Sequence, residues 1–128
     1  MFRSLDFLYL PTGDVDAAAR WYVDVLGGRL VWKVRAMDTV VAAVRLAPAD
    51  PQLLLAGHLT GGRPVLVYRV DDYAAAVGTL SVPGARLHEL EIPHGPVAVV
   101  HGPDDQPVGV YQLTRPEVVD HFDGRFDP

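Results

Sequence analysis

Aromatic side chains at strand spacing are the groups in this sequence with the clearest chemical use. Phe7 and Tyr9 lie two residues apart in "LDFLYL", and Gly109 and Tyr111 do so in "PVGVYQL". Residues at this spacing in a strand point to the same face of a sheet. Aromatic rings beside a residue without a side chain suit a flat or bulky organic ligand, held by stacking and by burial of apolar surface. The alternative, that these rings simply fill a closed core, stays open.

The charged and polar residue types give weaker indications of chemistry. No cysteine is present, which excludes disulfides, thiolate nucleophiles and cysteine-ligated zinc. The five histidines show neither an HxH nor an HExxH spacing, so they do not predict a metal site. His101 is a candidate for the rim of a ligand site because imidazole titrates near neutrality, although a solvated loop histidine explains it as well. Arg69 could pair with an anionic ligand or lie at the surface.

Composition limits the functions that the chain can serve. Its 128 residues, 49% hydrophobic and 21% charged, are typical of one globular domain. A formal net charge of −5 with a single lysine argues against a nucleic-acid partner, since that affinity depends on clustered basic residues. The apolar stretches are too short to span a membrane, and "MFRSLDFLYL" lacks the features of a signal peptide, so we expect a cytoplasmic protein. No Ser-His-Asp arrangement, phosphate-binding loop or dinucleotide fingerprint is found, and catalytic residues stay unassigned.

An internal repeat indicates how the chain is organised. When residue 14 is set against residue 71, an offset of 57, eight positions between residues 14 and 30 are identical. Each copy has a short strand, an Asp that can cap a helix (Asp14 and Asp71), a helix that ends near a glycine, and three further candidate strands. The sequence therefore predicts an α+β fold of two tandem βαβββ modules, 1–60 and 61–114, joined by "HLTGGRP" and followed by a tail at 115–128.

The packing of these elements follows from their apolar faces. Two such modules placed edge to edge form a curved mixed sheet, with the helices outside and a concave cup inside. The first helix is expected to end at Gly27–Gly28 and to bury Trp21 together with an apolar face made of Val15, Ala18, Tyr22, Val25 and Leu26. The tail carries Phe122 and Phe126 among charges. We expect it to dock on its own subunit or on a partner, with disorder as the alternative.

With these elements the chain resembles the vicinal oxygen chelate superfamily, which includes glyoxalase, the bleomycin resistance proteins, fosfomycin resistance enzymes and extradiol dioxygenases. The stretches that carry the resemblance are "LYLPTGDVDAAARWYVDVLGGRL", "VYRVDDYAAAVGTL" with "GARL", and "GPDDQPVGVYQL". They cover nearly the whole chain up to Leu113. In the metal-dependent members a divalent cation lies in the cup, held by a His or Gln on each module's first strand and a Glu on its last. Similar proteins commonly form dimers, so the resemblance also implies a homodimer.

The positions at which the resemblance places metal ligands hold no ligating side chain. In module one the first-strand position is Phe7, and in module two it is Val65, or Pro64 if the register slips by one. The last strand of module one, "QLLLAG", offers only leucines near its position, and Gly109 takes the corresponding place in module two. The resemblance therefore implies a cup without a metal and without another cofactor.

The chain then resembles the binding members of the superfamily, such as the bleomycin resistance proteins. We expect a metal-independent protein that sequesters an aromatic or natural-product ligand. Strand alternation places Leu5, Phe7 and Tyr9 inside the cup and Asp6, Leu8 and Leu10 on the helix side. On the last strand Gly109 and Tyr111 point inward, and Val108 and Val110 point to the helix layer. The residues expected to hold the ligand are Phe7, Tyr9, Trp32, Arg69, His101, Gly109 and Tyr111, although Trp32 could equally pack against a partner subunit.

Two other function classes stay open. One is a lyase, isomerase or dioxygenase, with a metal relocated to His58, His101 and a carboxylate or with metal-free acid–base chemistry by tyrosine and histidine. Turnover of a lactoylglutathione or catechol-type substrate would favour it. The other is a domain whose cup is filled and which serves assembly only.

Overall fold

A computed structural model describes residues 1–36, 38–59 and 62–128 and shows a mixed sheet with two helices on one side. The first half of the chain contains β1 (Phe2–Pro11), α1 (Val15–Asp24), β2 (Arg29–Ala36), β3 (Thr39–Arg45) and β4 (Gln52–Ala56). The second half contains β5 (Val65–Val70), α2 (Tyr73–Leu80), β6 (Leu87–Ile92), β7 (Gly95–His101) and β8 (Pro107–Tyr111). Two 3-10 turns follow β7 and β8, at Pro103–Asp105 and Pro116–Val118. Neither described helix is long and apolar enough to cross a membrane.

The strand order shows that the two halves repeat one topology. The sheet runs β2-β3-β4-β1-β5-β8-β7-β6, so each half has its first strand at the centre and its second strand at an edge. The first strand pairs in parallel with the last strand of its own half, and β1 and β5 pair antiparallel across the middle. The predicted α+β fold of tandem βαβββ units is confirmed. The predicted boundary between residues 60 and 61 lies outside the described residues.

The helix caps correct the alignment of the two copies by one residue. The side chain of Asp14 accepts a hydrogen bond from the Ala17 N–H at 3.0 Å, and in the second half Asp72 accepts one from the Ala75 N–H at 3.0 Å. Asp71, which the sequence predicted as the cap, instead pairs with Arg3. The equivalent caps are therefore 58 residues apart, because 72 − 14 is 58. The pairing of β1 with β5 agrees with this offset. Phe7 pairs with Val67 and Tyr9 pairs with Val65, so Phe7 is equivalent to Val65 and Tyr9 to Val67.

The helices cover the outer face of the sheet with small apolar residues. Under α1, Val15 and Ala19 pack on Ala42, Val44 and Leu55, and Ala18 and Tyr22 join this cluster from its edge. Under α2, Ala76 packs on Val70, Ala98 and Val110, which confirms the outward direction of Val110.

The predicted apolar face of α1 is wrong at its far end, where Trp21, Val25 and Leu26 are 51%, 61% and 50% exposed. Trp21 lies outside the helix face that packs on the sheet, and Val25 and Leu26 come after the last helical residue, Asp24.

The tail packs on its own chain along the free edge of β2. The Lys33 N–H donates to the Arg125 carbonyl at 2.8 Å, and the Asp127 N–H donates to the Lys33 carbonyl at 2.9 Å. One turn earlier in the tail, the ring of Phe122 packs on Trp32 with centroids 5.4 Å apart. The tail therefore extends the sheet by a short segment and reaches over the concave face.

Candidate functional site

A bulge in β1 brings two consecutive side chains to the concave face. Leu5 lies opposite Tyr68 and Phe7 opposite Val67, so Asp6 is an extra residue between two paired positions. The Asp6 carboxylate consequently lies beside Phe7, where it accepts a hydrogen bond from the Tyr111 hydroxyl at 2.5 Å. The predicted outward direction of Asp6 is therefore wrong, as is the inward direction of Leu5, because regular alternation does not continue through a bulge.

Asp6 is a buried carboxylate whose oxygens are both engaged. Oδ1 accepts from the Ser4 hydroxyl at 2.5 Å, and Oδ2 accepts from Tyr111. Arg69 Nε lies 3.7 Å from Oδ2, which is an ion-pair distance but longer than a hydrogen bond. Burial and the hydrogen bond to Asp6 together raise the pKa of Tyr111. The phenol thus stays protonated and serves as a permanent donor to the carboxylate.

A cavity of about 130 Å³ opens above this pair. Four aromatic rings form much of its wall, with Phe7 and Tyr111 centroids 5.6 Å apart on one side and Trp32 against Phe122 on the other. The remaining lining residues are Asp6, Arg45, Asp50, Gln52, Arg69, His94, Leu113, Val118 and Val119. The rings do not fill the concave face completely, and the space between them is close to the size of one aromatic ring, since a cavity of roughly 150 Å³ binds benzene.

Two residues that line this cavity each have a buried polar atom without a hydrogen-bond partner among residues 1–36, 38–59 and 62–128. Arg45 donates from Nη2 to Asp50 at 2.9 Å, but its Nη1 is buried and has no partner in the part of the chain that the structure describes. His94 is 9% exposed, its ring lies 5.1 Å from that of Phe7, and its Nδ1 has no partner among the described residues. Burial lowers the pKa of His94, so the imidazole is neutral near pH 7. Such groups are rare in protein interiors and are explained by water or by a ligand that the cavity receives.

A second, smaller cavity of about 90 Å³ lies further along the concave face, around Tyr9. Its wall is almost entirely apolar and includes Val65, Val67, Val97, Val99 and Ile92. Gly109 lies beneath it, and a Cβ on Gly109 would meet the side chains of Val67 and Val65 at 3.5 and 3.7 Å. A Cβ at Gly109 would therefore make ordinary van der Waals contact with the two valines, and Gly109 is not among the residues that line either cavity.

The structure brings together four of the residues that the sequence selected. Phe7, Trp32, Arg69 and Tyr111 line the larger cavity, and Tyr9 lines the smaller one. His101 lines neither, because it lies at the end of β7 with Nδ1 3.2 Å from Asp105. The lining residues that the sequence analysis missed are Asp6, Arg45, Asp50, Gln52, His94, Leu113, Val118, Val119 and Phe122.

The positions at which the resemblance places metal ligands hold no ligating side chain. Three of these positions are Phe7, Val65 and Gly109. The fourth is Leu54, the β4 residue equivalent to Gly109, because Leu54 pairs with Tyr9 in the first half as Gly109 pairs with Val67 in the second. None of these side chains can ligate a metal ion. Within residues 1–36, 38–59 and 62–128, no group of three histidine, aspartate or glutamate side chains is arranged to hold one. His58 and His101, the proposed relocated ligands, lie against Thr39 and Asp105 respectively.

The burial of Tyr9 predicts a loss of stability in alkaline solution. Burial raises the pKa of Tyr9 from 10.0 to about 12. Its contribution to stability is complete below pH 10 and is lost as the pH rises from 10 to about 12, because the unfolded chain ionises first. We expect the free energy of unfolding, measured by urea denaturation at intervals from pH 9 to about 12, to fall less steeply in Tyr9→Phe. Tyr68→Phe, on the outer face, should keep the wild-type slope; equal slopes for wild type and Tyr9→Phe would contradict the prediction.

The sequence of this chain matches a protein-family model. A family model described as the Glyoxalase/Bleomycin resistance protein/Dioxygenase superfamily matches residues 4–112. A search among proteins of curated function gives no match.

Solved structures agree with the family model at the level of the fold. A methylmalonyl-CoA epimerase from Mycobacterium tuberculosis is 21% identical, covers 91% of this chain and 92% of its own, and has a TM-score of 0.71. A Streptomyces coelicolor methylmalonyl-CoA epimerase variant in complex with 2-nitronate-propionyl-CoA is 13% identical, with coverage of 89% and 99% and a TM-score of 0.69. A hypothetical protein from Bacillus halodurans is 12% identical, with coverage of 85% and 93% and a TM-score of 0.68. At these identities the likeness concerns the fold alone.

Proposed function

We infer that this chain, which belongs to the glyoxalase/bleomycin resistance protein/dioxygenase superfamily, binds a small organic molecule on its concave face without a metal ion. The observation that carries the proposal is the cavity of about 130 Å³ between Phe7, Trp32, Tyr111 and Phe122. Concave sites lined by aromatic side chains and a few polar groups are the usual form of small-molecule sites. The absence of donor side chains at the superfamily's metal positions supports a ligand held by stacking and hydrogen bonds.

The size and lining of the cavity define the ligand class. Its volume corresponds to about one aromatic ring, and it is open to solvent on the side of Arg69, so a larger ligand can extend outward. Tyr111 cannot readily act as an acid or a base because its hydroxyl is committed to Asp6. Sequestration of an aromatic or natural-product ligand is therefore the function that these groups support best.

A thermal unfolding series in EDTA, in single divalent ions, and in small aromatic compounds tests this proposal. We expect no shift of the midpoint with Mn²⁺, Ni²⁺, Zn²⁺, Fe²⁺ or Mg²⁺. Phenol, indole or benzoate in the presence of EDTA should raise it, because a ligand of the native state at ten times its Kd stabilises by about 1.4 kcal/mol, or several degrees. A saturable rise with one of the ions would instead support the metal-dependent classes of the superfamily.

The tail offers a matched pair of variants for the same experiment. Phe122 lines the cavity, whereas Phe126 lies in the same tail, is 55% exposed and packs outside it. Phe122→Ala should weaken the binding of the aromatic compound, and Phe126→Ala should leave it near the wild-type value. Equal effects of the two substitutions would mean that the compound binds elsewhere.

His94 supports a second candidate function, metal-free proton transfer. It is a neutral, buried imidazole that lines the cavity, its Nδ1 has no hydrogen-bond partner among the described residues, and a neutral imidazole can act as a general base. Two of the three similar structures named above are methylmalonyl-CoA epimerases, so methylmalonyl-CoA is the first compound to incubate with the protein while the ratio of its epimers is followed. Turnover that is lost in His94→Phe would favour an enzyme over a binding protein. Two further expectations, a homodimer and a cytoplasmic location, stay predictions.

A further inference from the structure

We propose that the ligand carries a carboxylate, which binds between the guanidinium groups of Arg45 and Arg69 while its ring lies among the aromatic side chains. This inference rests on the proposed function and names the chemical class of the ligand. It follows from which hydrogen-bonding groups at the cavity are already used and which are not.

Three of the four carboxylate oxygens of Asp6 and Asp50 at the cavity already accept hydrogen bonds. Both oxygens of Asp6 accept hydrogen bonds from hydroxyl groups, those of Ser4 and Tyr111. Asp50 accepts from Arg45 Nη2 at 2.9 Å. A ligand that relied on donating hydrogen bonds would therefore compete with donors already in place at three of these four oxygens.

The donors around the cavity are largely unused. Nη1 of Arg45 is buried and unpaired, and Arg69 makes no hydrogen bond to any residue that the structure describes. The Arg69 side chain is 42% exposed and lines the cavity, and its Nε lies 3.7 Å from Oδ2 of Asp6. An arginine has five N–H donors in a planar fork, so the ligand must supply acceptor atoms.

A carboxylate is the acceptor that best fits these donors and this space. It is planar and binds arginine through two parallel hydrogen bonds, which are stronger than bonds to a neutral carbonyl. It adds only three atoms to an aromatic ring, which suits a cavity with room for about one ring. A shift of the Arg45 side chain that brought Nη1 to the ligand would also give this buried nitrogen an acceptor.

The test compares benzoate with benzamide, which has the same shape and no charge. In ligand-observed NMR titrations with the full chain at pH 7 in EDTA, we expect benzoate to bind about tenfold or more tightly than benzamide, as charge-assisted hydrogen bonds imply. Arg69→Met keeps the apolar stem and should reduce benzoate affinity about tenfold with little change for benzamide. Arg69→Lys, which keeps the charge without the fork, should give an intermediate value. Arg20→Met, an exposed arginine on α1, is the control and should match wild type.

The outcomes separate this inference from the proposed function. Benzamide binding as tightly as benzoate would overturn the carboxylate assignment and leave a metal-free aromatic site in place. Benzoate binding that is unchanged in both Arg69→Met and Arg45→Met would overturn the assignment to these two arginines. If neither compound binds, and phenol and indole also fail to shift the thermal midpoint, the proposed function itself is wrong and the carboxylate inference falls with it. The comparison of the two compounds on the wild-type chain stays decisive even if a variant folds poorly.

Discussion

Replacing Gly95 with alanine is expected to lower the free energy of unfolding by about 2–4 kcal/mol. A Cβ at this position would lie 2.1 Å from the carbonyl oxygen of Gln112, which belongs to the backbone and cannot rotate away. The residue also has a φ of +155°, which side chains disfavour. Because both the clash and the backbone conformation oppose a side chain, the β6–β7 turn must move to accept one.

The effect should extend from stability to the ligand site. The carbonyl of His94 accepts hydrogen bonds from the N–H groups of Thr114 and Arg115, at 3.0 and 3.1 Å, so the turn and the segment after β8 move together. Urea denaturation measures the stability loss. Gly78→Ala is the matched control: Gly78 lies inside α2 with open space around its Cβ, and alanine there should stabilise by about 0.5–1 kcal/mol. A wild-type midpoint for Gly95→Ala would show that the backbone contact with Gln112 is not as close as described.

Replacing Tyr111 with phenylalanine is expected to cost about 1.5–3 kcal/mol of stability at pH 7. The ring would stay in place, but the buried Asp6 carboxylate would lose the hydroxyl that donates to Oδ2. Arg69, at 3.7 Å, does not form a hydrogen bond that could replace it without moving. Tyr68→Phe is the control, since the Tyr68 hydroxyl makes no hydrogen bond within the described residues, and it should change stability little.

A double-mutant cycle distinguishes the lost hydrogen bond from a general packing effect. In the Asp6→Asn background the group left behind is uncharged, so Tyr111→Phe should cost clearly less than it does in the wild type. Urea denaturation of the wild type, the two single variants and the double variant gives the coupling energy. Additive losses would mean that the hydroxyl contributes nothing specific to the burial of Asp6.

The order of elements could be predicted from the sequence because short-range signals mark it. Asp14 precedes a helix and Gly27 follows it, and both effects depend only on local backbone geometry. The bulge at Asp6 could not be predicted in this way. One extra residue in a strand leaves no mark in the alternation of apolar and polar residues, yet it places the carboxylate in the cup.

Strand alternation could predict the aromatic residues of the candidate site, but it could not predict the polar ones. Phe7 and Tyr111 lie on central strands whose inward faces follow from the fold. Arg45 and His94 lie at strand ends, where the direction of a long side chain depends on turns and on the distant segments packed against them. Phe122 reaches the cavity only because the tail follows the edge of β2, which is a long-range pairing that no local pattern encodes.

The pairing of the tail with the edge of β2 also affects the tendency of the molecule to aggregate. An open sheet ends in strands whose free backbone groups can recruit a strand from a neighbouring molecule and start aggregation. At one end the tail occupies the backbone groups of Lys33, and at the other β6 presents the exposed side chains of His88, Glu89 and Glu91. The tail, which lines the cavity with Phe122, thus also protects one edge of the sheet. A substitution that detaches the tail would therefore open the ligand site and at the same time expose the edge of β2 to pairing with other molecules.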